Sequence, residues 1–75
     1  MNNSIDFIYK QNLEQNIIKY LAKARNIDIR TSMERYYKSE LSEQIENSMF
    51  GIDTMDYKYL AEDLIENEPE LFSDL

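Results

Sequence analysis

Glycine and proline are almost absent from this chain: Gly51 and Pro69 are the only residues of these two types among 75. Tight turns and hairpins depend on them, because glycine reaches backbone angles closed to other residues and proline fixes φ. Such scarcity argues against a fold of short strands joined by turns. The sequence therefore predicts helices with few interruptions.

The first periodic segment predicts a helix from Ile5 to Ala24, with Ser4 as its N-cap. Gaps of three and four place its apolar residues on one stripe. The charged residues Lys10, Glu14 and Lys23 fall largely on the opposite side, as a half-buried helix requires. The predicted stripe consists of Ile5, Ile8, Tyr9, Leu13, Ile17, Tyr20, Leu21 and Ala24.

A second helical segment is predicted from Ile29 onward, with Asp28 as its cap. Ser39 lies in the middle of this segment and is followed by two glutamates, which is the pattern of a further N-cap with an acidic first turn. The spacing allows one kinked helix through residue 47, but this cap favours two short helices. The predicted apolar stripe is Ile29, Met33, Tyr36, Tyr37, Leu41 and Ile45.

Residues 47–53 are predicted to connect this segment to a last helix, since Gly51 can adopt the positive φ that a connector needs. Three apolar residues of the connector are expected to fold over the core: Met49, Phe50 and Ile52. Asp53 or Thr54 is predicted to cap the last helix, which runs to about Asn67. Its predicted apolar face is Met55, Tyr57, Leu60, Ala61, Leu64 and Ile65.

Pro69 is predicted to end helical structure, so the helical domain covers residues 1–67 and residues 68–75 form an acidic C-terminal tail. Amphipathic helices with one apolar stripe each can bury these stripes only against one another or against a partner. The predicted fold class is all-α, a small bundle of three or four short amphipathic helices. A chain of this length is expected to be marginally stable by itself.

Charge is unevenly distributed along the chain, whose net charge is −7. Residues 1–30 have five basic and three acidic side chains, whereas residues 31–75 have three basic and twelve acidic ones. Nucleic-acid binding depends on lysine and arginine against phosphate, so we expect no nucleic-acid partner. The acidic surface favours a basic protein partner, although such a surface also keeps a small protein soluble.

The composition removes the usual means of catalysis and metal binding, because the chain has neither histidine nor cysteine. Its serines and threonines have no histidine base, and one glycine cannot form a phosphate-binding loop. Two carboxylate pairs, Asp53 with Asp56 and Glu62 with Glu66, are interpreted as solvated helix surface. We therefore expect no enzyme, no catalytic residue, no cofactor and no metal.

The hydropathy pattern indicates neither secretion nor membrane insertion. No stretch approaches the roughly 20 apolar residues that span a bilayer, and the first residues lack the basic and apolar regions of a signal peptide. We expect a cytoplasmic protein without membrane contact, and the absence of cysteine fits a reducing compartment.

Six tyrosines are the main candidates for contact with a partner, since tyrosine supplies a large contact area at low entropic cost. Those on the predicted stripes are assigned to the core: Tyr9, Tyr20, Tyr36 and Tyr57. Tyr37 and Tyr59 lie toward the stripe edges and are assigned to partner contact. In the tail, Glu70 and Phe72 are further candidates, because an acidic and apolar segment can fold on binding. A frayed terminus is the alternative.

One series of residues between Ile17 and Leu64 stands out by its order: Asn26, Ile27, Asp28, Tyr36, Tyr37, Lys38, Ser39, Leu41, Gly51, Tyr59, Leu60 and Leu64. With these residues the segment resembles a family of small bacterial proteins described only as a domain of unknown function. The resemblance implies context rather than chemistry. Members of such a family are encoded beside toxin-like genes, some resembling ADP-ribosyltransferases, which implies an antitoxin or immunity role.

Three functions compete at this point. The first is a protein-binding module of antitoxin type, which occludes a basic partner with its acidic half and tail through Glu62, Glu66, Glu70 and Phe72. The alternative is a homodimeric structural or adaptor protein with a symmetric apolar patch of Met33, Tyr37 and Met55. The third is DNA binding, which would need the basic cluster Lys19, Lys23, Arg25 and Arg30.

Overall fold

One long helix organises the fold. The computed structural model describes residues 4–47, 52 and 55–75, with side chains described from Ile8 onward. Its helices are α1 (Ser4–Arg25), α2 (Ile29–Tyr37), α3 (Glu40–Glu46) and α4 (Tyr57–Asn67), followed by a 3-10 helix (Pro69–Phe72). Both α2 and α4 pack principally against α1, and α3 follows α2 along the same bundle. The all-α prediction is confirmed.

The core lies between α1 and the shorter helices. The predicted stripe of α1 is right at Leu13, Ile17 and Leu21 but wrong near both ends, where Ile8, Tyr9 and Ala24 are exposed. The 22 residues of α1 make a helix about 33 Å long, which helices of 7 to 11 residues cannot cover along its whole length. The buried core residues are Leu13, Ile17, Ile18, Leu21, Tyr36, Leu41, Ile45, Leu60, Ala61, Leu64 and Phe72.

The break between α1 and α2 comes from Asn26, which has a positive φ of 56°. In this left-handed conformation the chain turns back, and the Ile27 amide donates to the carbonyl of Ala22 at 2.9 Å. Asp28 then precedes α2 with an extended backbone, as an N-cap residue does. The predicted start of α2 is confirmed.

Ser39 separates α2 from α3, so residues 29–46 form two helices rather than one. Its hydroxyl oxygen accepts a hydrogen bond from the Ser42 amide at 3.1 Å and donates to the Tyr36 carbonyl at 2.6 Å. Glu40 and Glu43 occupy the first turn of α3, where negative charge stabilises the helix. The cap predicted from the sequence is therefore confirmed.

The start of α4 differs from its prediction. The proposed caps Asp53 and Thr54 lie outside the described residues, and the helix begins at Tyr57 with Asp56 as its N-cap. Met55 precedes the helix and is exposed, so its assignment to the buried face was wrong. The rest of the predicted face is correct: Leu60, Ala61 and Leu64 are buried, and Tyr57 and Ile65 are partly buried against the core.

Residues 68–75, predicted as a tail separate from the helical domain, pack against it. Pro69 ends α4 but begins the 3-10 helix, because proline is tolerated in a first helical turn. The Glu68 carboxylate accepts the Glu40 amide at 3.0 Å and the Leu41 amide at 3.4 Å, and so caps α3 beside Ser39. The segment therefore completes the core and ties the last helix to α3.

Candidate functional site

Three of the predicted partner-binding residues lie on the outer face of α4. Tyr59, Glu62 and Glu66 follow one another at spacings of three and four, which places them on one side of a helix. The opposite side is buried in the core, while all three are exposed, Tyr59 by 57%. Glu70 is exposed in the 3-10 helix that follows. We call Tyr59, Glu62, Glu66 and Glu70 the acidic surface.

Most of the negative charge around the acidic surface has no basic partner among the described residues. Residues 55–75 contain seven carboxylates and one lysine, Lys58. Among the described residues the single ion pair joins Arg35 to Asp74. The Arg35 guanidinium lowers the pKa of the Asp74 carboxyl. The carboxylates of α4 are therefore free to attract a positively charged partner, with a range that salt would shorten.

A hydrogen bond to α1 positions Glu62. The Tyr20 hydroxyl donates to the Glu62 carboxylate, and this bond raises the pKa of Tyr20. The Tyr20 ring also meets Tyr57 edge to face, with ring centroids 6.3 Å apart. Glu62 is thus held by the α1–α4 contact, whereas Glu66 and Glu70 extend into solvent.

Tyr37 is exposed as predicted but lies apart from the acidic surface, on α2. It lines a cleft of about 250 Å³ between α1 and α3, together with Lys10, Glu14 and Glu46. Met55 lines a different groove, with Tyr9 and Asn12 of α1. Successive residues of a helix are about 100° apart, so these two sets lie on opposite flanks of α1. The predicted homodimer patch of Met33, Tyr37 and Met55 is therefore not one surface.

Phe72 was predicted to contact a partner, but its side chain is buried in the core and only 2% exposed. The Arg25 guanidinium lies over its ring, 5.4 Å from the ring centroid. Arg35 fixes the segment further by donating to the Leu71 carbonyl at 3.2 Å and to both oxygens of Asp74 at 2.8 and 3.2 Å. Phe72 is thus a structural residue in this fold.

A polar contact between a buried tyrosine and a partly buried glutamate was not predicted from the sequence. The Tyr36 hydroxyl donates to the Glu14 carboxylate at 2.8 Å, and Tyr36 is completely buried. Burial raises the pKa of Glu14, with nearby Glu46 adding to the rise and the Tyr36 bond and Lys10 opposing it. Burial also raises the pKa of Tyr36 above its usual range, and the hydrogen bond to Glu14 adds to the rise. No local spacing signals this pair, because its members are 22 positions apart.

Replacing Glu14 by Gln tests this arrangement, because glutamine keeps an acceptor for Tyr36 without a charge to desolvate. The raised pKa means that the folded chain holds the Glu14 proton more tightly than the unfolded chain. Glu14 therefore contributes to stability below its ordinary pKa of 4.5, and this contribution is lost as pH rises through the folded-state pKa. We expect the free energy of unfolding of Glu14→Gln to rise relative to that of wild type as pH increases from 4.5 to the folded-state pKa of Glu14. Urea titrations at a series of pH values measure this difference. A difference that does not change with pH would contradict the assignment.

The described part of the chain offers little else of a chemical kind. No group of three or more carboxylates comes together there to hold a metal ion. None of the described helices combines the length and apolar character that crossing a bilayer requires. The fold and the surface define a small all-α protein with an exposed acidic helix face.

Comparison with known proteins adds no relative: no protein-family model matches the chain, and neither a curated protein nor a solved structure shows significant similarity to it. The resemblance to a family of small bacterial proteins accordingly stays a prediction, as does the antitoxin context it implies.

Proposed function

We propose that the chain is a small acidic protein-binding module of the antitoxin or immunity type, which binds a basic protein through the acidic surface and blocks it by occlusion. The observation that carries this proposal is an exposed aromatic residue, Tyr59, set among carboxylates that have no basic partner in the part of the chain that the structure describes. Acidic residues alone would serve solubility. An exposed tyrosine adds the contact area typical of an interface residue.

The geometry suits recognition of a basic cleft. Tyr59, Glu62 and Glu66 lie on a helix whose other face is anchored in the core by Leu60 and Leu64. The face is therefore presented in a fixed arrangement, so binding loses little conformational entropy. Long-range attraction by the carboxylates would accelerate the encounter, and Tyr59 would supply apolar contact once water is displaced.

The proposal predicts a charge-dependent rescue. The wild-type chain is coexpressed with the product of the gene adjacent to its own, and growth and copurification are measured. We expect the wild type to form a complex and relieve toxicity, and Glu66→Lys with Glu70→Lys to weaken that complex about tenfold or more. Reversal of two interfacial charges replaces attraction by repulsion, and a tenfold change corresponds to about 1.4 kcal/mol.

The matched control is Glu43→Lys with Glu46→Lys on α3, which changes the net charge equally at exposed positions outside the acidic surface. We expect this control to bind nearly as well as wild type at physiological salt, where remote charges are screened. Equal losses in the two double variants would point to net charge rather than to a specific surface. Binding that does not depend on salt would also contradict the proposal.

A further inference from the structure

Helix α2 carries its apolar stripe on the outside of the molecule. Ile29, Met33 and Tyr37 are 47%, 43% and 53% exposed, and their spacing of four places them along one side of the helix. We call these three residues the α2 stripe. The buried side of α2 consists instead of Ser32 and Tyr36, both completely buried. An amphipathic helix ordinarily directs such a stripe toward the core.

Two polar contacts keep α2 in this orientation. The Ser32 hydroxyl donates to the Ile18 carbonyl of α1 at 2.7 Å, and the Tyr36 hydroxyl donates to Glu14 at 2.8 Å. Rotating α2 to bury the stripe would break both bonds and remove the Tyr36 ring from the core. Buried polar groups that lose their partners are costly, so the stripe can be covered only from outside.

The charges beside the stripe limit what can cover it. Arg35 is engaged with Asp74, which leaves Arg30 and Glu34 as the exposed charges of α2, one of each sign. The exposed charges of α2 itself therefore cancel, on a chain whose net charge is −7, and two lysines of α1 line the groove next to Ile29. A strongly charged partner would gain little electrostatic attraction from α2 itself. A second copy of the chain, by contrast, is repelled by the acidic regions and can approach most closely along a neutral face.

The positions of Arg30 and Glu34 also fit a second copy. Arg30 comes directly after Ile29, and Glu34 comes directly after Met33. Because successive residues of a helix are about 100° apart, both charged residues lie on the same edge of α2. In an antiparallel pair whose two-fold axis passes between the two Met33 residues, this edge of one helix lies beside the same edge of the other. Arg30 of one copy then lies about two positions, roughly 3 Å along the axis, from Glu34 of the other. The symmetry creates this opposite-charge contact twice.

We infer that two copies of the chain associate through antiparallel packing of their α2 stripes, centred on Met33. Tyr37 of each copy then covers Ile29 of the other, and the Arg30–Glu34 contacts flank this apolar seam. The seam is short, so the dimer belongs at the small end of the range of interfaces and exchanges with monomer. This association uses no residue of the acidic surface, and each proposal can fail without the other.

Sedimentation equilibrium over a wide concentration range tests the seam with two matched variants. Met33→Glu and Met55→Glu introduce the same charge at methionines of nearly equal exposure, 43% and 41%, but only Met33 lies on the α2 stripe. We expect Met33→Glu to weaken dimerisation by about 30-fold, as for a hot-spot residue, and Met55→Glu to leave it near the wild-type value. Far-UV circular dichroism of both variants verifies that they remain helical.

Charge exchange tests the antiparallel register without touching the core. We expect Arg30→Glu alone and Glu34→Arg alone to weaken the dimer several-fold at low salt, and the combined variant to restore it. In the combined variant each intermolecular contact again joins opposite charges, and the intrahelical pair is also retained. A wild-type chain that stays monomeric at the highest soluble concentration would overturn the inference. Equal effects of the two methionine variants, or no restoration in the combined variant, would overturn it as well.

Discussion

Phe72→Ala is expected to lower the free energy of unfolding by about 3–5 kcal/mol, the usual loss for a buried aromatic side chain. The ring is buried among core residues and lies under the Arg25 guanidinium, so both contacts disappear. A 75-residue domain has a total stability of only about 4–11 kcal/mol, so much of the population would unfold near physiological temperature. Urea titration followed by far-UV circular dichroism measures the change.

The appropriate control is Leu75→Ala, which removes an exposed apolar side chain from the same segment and should change stability by less than about 0.5 kcal/mol. Two near-neutral variants would mean that residues 68–75 behave as the free acidic tail predicted from the sequence. A large loss for Phe72→Ala alone would establish that this segment is part of the cooperative unit.

Tyr36→Ala should destabilise the chain to a similar extent, by about 3–5 kcal/mol. Tyr36 is the largest completely buried side chain among the described residues and joins α2 to the core. Its removal leaves a cavity and also deprives the partly buried Glu14 carboxylate of its hydrogen-bond donor. Urea midpoints at concentrations below the onset of self-association report the loss without a contribution from dimerisation.

Two further variants separate the causes of this loss. Tyr36→Phe keeps most of the ring packing and removes only the bond to Glu14, so its smaller loss, about 1–3 kcal/mol, measures the polar part. Tyr59→Ala removes the same kind of side chain from an exposed position and should change stability by less than about 0.5 kcal/mol. If Tyr36→Ala were as mild as Tyr59→Ala, the burial of Tyr36 would be wrong.

The two proposed surfaces give the molecule separate roles for its hydrophobic and its charged exterior. The acidic surface, on α4 and the 3-10 helix, has carboxylates without a basic partner among the described residues and suits a basic protein. The α2 stripe is apolar and nearly neutral, and suits a second copy. A dimer formed through α2 would present two acidic surfaces, which could raise the avidity for a partner with repeated basic sites.

The sequence by itself determined the class of fold and the ends of several helices. Gly51 and Pro69 are the only residues of their types, and the chain is helical as this scarcity predicts. Ser39 separates α2 from α3 because its side chain caps an amide only three residues further along the chain. Such a short-range contact can be recognised from the sequence. The exposure of Tyr59, Glu62 and Glu66 likewise followed from periodicity along one helix.

Only the tertiary structure decided which faces became core. The periodicity of α2 predicts that Ile29 and Met33 face the core, yet both are exposed. The helix is docked instead by Ser32 and Tyr36, whose partners belong to α1. The burial of Phe72 likewise depends on residues far away in the sequence: Arg25 lies over its ring, and Arg35 holds the surrounding segment. A helical pattern specifies the angular positions of its side chains, but burial also depends on where neighbouring helices supply surface and hydrogen-bond partners, and those positions arise only when the chain has folded.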